Sequence, residues 1–567
     1  MDIHDYENLN PQEQIKVFRL SPFKERGELI FHSADPKTLV RALSQEELYL
    51  VTKDLDLEEK GEIIKYASVS QLVFISDVEC WKHDRLDTRN FLTWLETLQK
   101  ADDSKLLAWL LDADYEIVVA GLKRIIGVMK PDHEYAADEV LGDTPYFTID
   151  GMYHVSVEEE NLETVKRALE TLFDNHKGRY YAILEGVRAE MEDVLEEEAY
   201  RMREERLAER GFANFETANK LLQPISEDEF TNYPKKDIRL LREGSSVDSG
   251  RKEPIPFYPV LWSKNRLFLE EVLLAFKDRP DLLDAIYEEL AMLSNKIIAF
   301  YGLDFSSEEK IREGVETTRA YVSLGLEILS GGDLAKATRI VEEKWLEVIF
   351  RWGVTQTLKL KGQFLEIIRK YWEGEKESFL RFLHPPYELI ARGLLKTVPA
   401  FYDSEMSSGT VESLRDFRSL QEFTRTAIAP AQIGFVISKM EDLHKSLKKG
   451  IAKLQVEHEH EWTLLNVLGN DFVRFSIGSK KSLGLISLDD ARKFMESAFE
   501  EQGGTRKVKK DSKERFIREY FAPLEPMMVP FWGVFFSQIQ EEFEKVSPQN
   551  LLPEYFSAVL IKKNDSK

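Results

Sequence analysis

Three helix-start signals recur at a fixed interval near the beginning of the chain, and they limit what it can fold into. Ser44 precedes Glu47, Asp56 precedes Glu59 and Ser68 precedes Gln71, each pair at capping-box spacing. In such a pair the first side chain accepts a hydrogen bond from a free N–H of the first turn, and the third-position acid or amide reaches back. The caps stand at 44, 56 and 68, so each helix has room for only about two to three turns. Between them apolar residues fall at helical spacing: Leu48 and Val51; Ile63, Ile64 and Tyr66; Leu72, Phe74 and Ile75. A helix that short is marginal in water by itself, so these helices must bury faces on one another. The pattern runs on through 87–101, 102–113 and 114–126. The expectation is a stack of short helices over residues 1–130.

The rhythm of this stretch resembles the helical superhelix at the N-terminus of MgtE-type magnesium transporters and of flagellar motor-switch proteins. Four stretches carry a further resemblance along most of the chain: "LVRALSQEELYLVTKDL", "CWKHDRLD", "PYFTIDGMYHV" and "RLAERGFANFETANKLLQPI". Together they are similar to a bacterial family known only as a domain of unknown function (number 6178). That resemblance implies a fold class and a bacterial setting. It implies no activity.

Beyond residue 130 the pattern changes. An acidic connector over 131–145 leads into "YFTIDGMYHVSV", where Asp150-Gly151 separates two β-favouring runs. Asp-Gly suits a type I′ turn, so the reading is one β-hairpin inserted into an α protein. Long, charged helices follow to about residue 210, with Gly211 as the residue past the last helix end. Their Glu and Arg residues lie four apart, as on a solvated helix face. Residues 226–260 are rich in Ser, Gly, Pro and charge and read as a linker. This divides the chain into a short-helix domain (1–130), a hairpin insert with charged helices (131–225), the linker (226–260) and a C-terminal helical domain (261–567). Within the last, Tyr321, Leu324, Gly325, Ile328, Ala337 and Val341 fall at the offsets of a tetratricopeptide repeat, with "SGGD" as its turn. Close packing of Gly325 on Ala337 is the physical reason for small residues there. The fold class expected is mainly α, ending in a helical bundle with a tetratricopeptide-like hairpin.

Composition narrows the function classes. Of 567 residues 43% are apolar and 31% charged, an ordinary balance for a folded chain. The net charge of −24 repels phosphate backbones and argues against general nucleic-acid binding. The opening "MDIHDYENLNPQEQ" has neither a basic start nor an apolar run, so no secretory signal is expected. "PMMVPFWGVFF" (526–536) is too short and too broken by proline to span a bilayer. One cysteine, Cys80, excludes an internal disulfide framework and points to a reducing, cytoplasmic setting.

Three clusters could carry chemistry. Cys80, Trp81, His83, Asp84 and Asp87 pair a thiol with an imidazole, but acidic neighbours raise a thiol pKa, so a core role is expected. Asp84 and Asp87 then cap the next helix. Glu457, His458 and Glu461 lie at chelating offsets on a helix, yet His458 and His460 point to different sides. Asp132, His133, Glu134, Asp138 and Glu139 of the connector, with His154 across the hairpin, offer hard ligands without calcium-loop spacing. Phosphate-loop, dinucleotide and nucleophile-elbow motifs are absent from the sequence. No residue is therefore assigned a catalytic, cofactor-binding or metal-binding role, and no cofactor is expected. The expectation is a cytoplasmic, non-enzymatic helical scaffold or adaptor for a protein partner. The alternatives are an enzyme with an acidic, metal-assisted site and a regulatory module that senses a ligand.

Overall fold

In the computed structural model each of the three caps starts the helix that the sequence places there. Ser44 Oγ accepts from Glu47 N–H at 3.1 Å and Glu47 accepts from Ser44 N–H at 2.9 Å, opening helix Gln45–Thr52. Asp56 accepts from Glu59 N–H at 2.9 Å and opens Leu57–Ile64. The Ser68–Gln71 box opens Val69–Glu79, and the Gln71 amide also donates to the carbonyls of Val40 and Leu43, both at 2.9 Å. A cap residue thus ties its helix to the previous turn of the stack. The structure describes residues 3–21, 23–82, 84–130, 145–212, 215–236, 267–300, 308–372, 375–403, 414–444, 447, 461–480, 483–502, 505–522 and 525–562.

The fold is mainly helical with a few small strand groups. The chain divides into two units: residues 1–221, 233–322 and 334–348 form one, and 222–232, 323–333 and 349–567 the other.

The first unit holds the stack of short helices around a core of Ile63, Ile64, Leu72, Phe91, Trp94 and Trp109, all essentially inaccessible to water. Trp94 and Trp109 meet edge to face at 6.3 Å, and the Trp109 N–H donates to Ser76 Oγ at 3.1 Å. Burying large aromatics in pairs compensates for helices too short to stand alone. The hairpin at 146–157 exists, with Tyr146–Phe147 antiparallel to His154–Val157. Its loop is longer than a two-residue turn: Asp150 accepts from the N–H groups of Met152 and Tyr153, and only Gly151 takes positive φ (73°). A third strand, Ile126–Met129, joins on the other side of His154–Val157 and makes a three-stranded sheet.

Helix Glu192–Glu209 ends as the sequence indicates. Gly211 has φ +88°, its N–H donates to Ala208, and Phe212 N–H donates to the Leu207 carbonyl at 2.8 Å. This is a Schellman ending, with Leu207 and Phe212 both buried beside it. A Cβ at 211 would lie 2.7 Å from the Met292 carbonyl, so glycine is required twice over. The helix is not solvated all round, however. Arg206 grips Asp77 with two bonds of 2.7 and 2.8 Å and also pairs with Asp114. Arg203 donates to the Asp77 carbonyl at 2.6 Å, and Arg210 holds buried Glu46 with bonds of 2.8 and 2.9 Å. The arginines of this face close the short-helix stack by ion pairing.

In the repeat-like stretch, helix Glu308–Ser330 turns at Gly331 and Gly332, both at positive φ, into Leu334–Glu343. A new helix begins at Leu346. A Cβ on Gly325 would meet the Ile349 carbonyl at 2.3 Å, and its nearest neighbours all belong to Ile349. The close approach that the sequence places on Ala337 therefore falls on the following helix. Ala337 itself is fully buried.

The second unit is a helical assembly with an aromatic core. Phe472 is ringed by Phe494, Phe516 and Phe536 at 5.1–5.4 Å. "PMMVPFWGVFF" supplies this core: Phe531, Trp532, Phe535 and Phe536 are buried on helix Val529–Phe543. No helix among the described residues is long and apolar enough to cross a membrane.

Candidate functional site

The three sequence clusters come out differently. Trp81–Lys82 and Arg85–Leu86 pair as two short antiparallel strands. Cys80 is the C-cap of the preceding helix, Val69–Glu79, and is fully buried. Burial pushes its thiol well above the usual range, and Glu79 and Asp77 add to the effect. Trp81 packs on Tyr200 at 5.7 Å beneath the Arg203 guanidinium. Asp87 caps the next helix, accepting from Asn90 N–H at 2.9 Å, whereas Asp84 is exposed and caps nothing. Asp87 is held below the usual carboxylate range by the Lys82 hydrogen bond first and the Asn90 N–H second. His83 lies outside the described residues. So do Asp132, His133, Glu134, Asp138, Glu139, Glu457 and His458. Glu461 is exposed in the irregular segment just before Leu464–Ser476. His154, on its strand, packs its ring tilted against Tyr146 at 5.5 Å. Among the described residues, no three His, Cys, Asp or Glu side chains gather as metal ligands.

The site that the sequence reading missed is a cleft of about 350 Å³ in the first unit. Its floor is helix Pro280–Phe300, which presents Glu289, Met292, Leu293 and Lys296. These residues stand at i, i+3, i+4 and i+7, one face of a helix, with a charge at each end and apolar residues between. One wall is Tyr233 and Pro234, at the start of the segment that runs on to Lys236. That segment is pinned by Lys236 N–H to the Glu343 carbonyl at 3.0 Å and by Lys344 to the Tyr233 carbonyl at 3.3 Å. Trp345 and Glu347, which complete the lining, lie where Leu334–Glu343 stops and the next helix starts.

Two ion pairs order these walls. Lys236, whose side chain is wholly enclosed, pairs with Glu289, and its ammonium sits 5.6 Å from the Trp345 ring centroid. The other Glu289 oxygen accepts from Leu346 N–H at 3.1 Å. Burial raises the Glu289 carboxyl above its usual range, with Lys236 pulling the other way. The second pair, Lys296 with Glu347 at 2.6 Å, is more open, at 26% and 32% exposed. Acid, base and aromatic groups thus converge on a volume that suits a small ligand.

Two other places invite comparison. In the second unit, His444 Nε2 and Asp471 Oδ2 lie 2.7 Å apart, but both side chains are at most 3% exposed and sealed from any substrate. A second hollow, lined by Tyr387, Leu464, Leu468, Phe531 and Phe535, has only about 20 Å³, room for one water.

Fold and cleft together define a mainly helical protein with one ligand-sized cleft described in its first unit. The chain belongs to a family of unknown function (DUF6178), whose model matches residues 4–562. No solved structure matches the chain. The likeness of the opening helices to MgtE-type transporters and motor-switch proteins finds no support in these comparisons.

Proposed function

We propose that the protein is a non-catalytic binding protein whose helical stack is the frame for a small-ligand cleft at Trp345. The observation that supports this reading is the state of the charges there: Glu289 is neutralised by Lys236 and Glu347 by Lys296. A general base needs a free lone pair aimed at substrate, and a nucleophile needs a base beside it. Here Glu289 has both oxygens engaged and Glu347 is charge-paired with Lys296, and the rest of the lining, Tyr233, Pro234, Met292, Leu293 and Trp345, holds no Ser, Cys or His to act as a nucleophile or its base. Apolar walls with a few fixed polar groups bind and orient. Of the functions expected from sequence, this favours ligand sensing over catalysis.

The test is a thermal-shift screen of small amphiphilic metabolites against the wild type and Met292→Trp, which fills the cleft from a partly exposed position. A ligand at a hundred times its Kd adds about 2.7 kcal/mol of stability. At least one compound class should raise the wild-type midpoint and leave Met292→Trp unmoved. A screen without any shift, or with equal shifts in both proteins, contradicts the reading.

A further inference from the structure

We propose that the ligand of this cleft is a zwitterion with an apolar tail, a free α-amino acid with a large side chain. The inference rests on the reading of the cleft as a ligand site. Three charged groups line it, Glu289, Lys296 and Glu347, and with Lys236 paired to Glu289 behind the lining the two ion pairs sum to zero. A ligand with net charge would be taken out of water without a compensating partner, which is costly in a partly dry site.

The two pairs are not equivalent. Lys236–Glu289 is locked: the lysine side chain is fully enclosed, and the second carboxylate oxygen is held by Leu346 N–H. Lys296–Glu347 is available. Lysine has three N–H donors and Glu347 takes one of them, while the second Glu347 oxygen carries no hydrogen bond among the described residues. An ammonium and a carboxylate side by side, 2.6 Å apart, are the mirror of the two charges on an amino-acid head. The ligand carboxylate would dock on Lys296 and the ligand ammonium on Glu347, with no change in total charge. Met292, Leu293, Tyr233 and the Trp345 ring then receive the side chain. An amine or an acid alone satisfies one half of the pair and leaves the other half facing the ligand unmatched.

The experiment is calorimetric titration of the full chain with matched sets. L-phenylalanine is compared with phenethylamine and 3-phenylpropionate, and L-leucine with isopentylamine and 4-methylpentanoate. At least one amino acid should bind, with its amine and acid analogues each at least about tenfold weaker, the worth of a charged hydrogen bond. Glu347→Gln should shift preference toward the acid and Lys296→Met toward the amine. If an amine or acid binds as tightly as its amino acid and Met292→Trp abolishes that binding, the cleft is right and the zwitterion wrong. If nothing binds, or binding survives Met292→Trp, the cleft reading itself falls and the zwitterion with it.

Discussion

The Arg206 cluster and the Lys296 pair use the same chemistry to different ends. Arg206 lies between Asp77, whose side chain is 2% exposed, and Asp114, and its fork meets Asp77 with two bonds. Lys296 meets Glu347 through one contact, at a cavity wall, with both side chains about a quarter to a third exposed. A buried charge is costly to leave alone, so its partner is a structural necessity. A half-exposed pair adds little to stability, because water competes for both ends. What distinguishes a structural ion pair from a candidate binding pair is therefore its solvent access and the space beside it, not the residue types.

The largest effect should come from breaking the buried cluster. Arg206→Leu leaves Asp77 enclosed without its counter-charge, and the loss should be about 3–5 kcal/mol in denaturant unfolding. A loss below about 1 kcal/mol would place this cluster in the same energetic class as an exposed pair.

An intermediate effect is expected at the deeper of the two cleft pairs. Glu289→Gln keeps the shape and an acceptor for Leu346 N–H but strips Lys236 of its counter-charge. The expected cost is about 1–3 kcal/mol. An unchanged unfolding midpoint would show that Lys236 does not need Glu289.

Cys80 offers a labelling test of the same contrast, since it lies three residues beyond Asp77 in the same buried region. As the only cysteine, buried and with its thiol pushed well above the usual range, it should not react with a thiol reagent in the folded protein. One equivalent should appear on unfolding. Arg206→Leu should speed the labelling through local opening, while Lys296→Met should leave it unchanged. Rapid modification of the folded wild type would return Cys80 to the list of reactive candidates.

How much of this was legible in the sequence follows from the range of the interactions. Caps and helix ends are local, so Ser44, Asp56, Ser68 and Gly211 announce their elements within four residues. The Arg-rich helix misleads because i,i+4 spacing reports neighbours on the helix, whereas Arg206 finds Asp77 across 129 residues of sequence. Strand Ile126–Met129 was hidden because it pairs with residues 154–157 across an acidic connector. The cleft was hidden for the same reason, being assembled from 233–236, 289–296 and 345–347. One signal was available: the stripe Glu289, Met292, Leu293, Lys296 puts apolar residues between opposite charges on one helix face. A stripe alone does not tell a cleft floor from an ordinary half-buried helix. Gly325 carries the converse lesson, since its smallness was legible and its partner, Ile349, was not.

The most direct measurement is the ligand-free stability of Lys296→Met and Glu347→Gln, singly and together, by denaturant unfolding beside Arg206→Leu. If the Lys296–Glu347 pair is held for binding, each variant should stay within about 1 kcal/mol of wild type, with a coupling between them of only about 0.2–1 kcal/mol. A loss of about 3 kcal/mol or more in either single variant, matching Arg206→Leu, would make the pair a structural brace and contradict its assignment to a ligand.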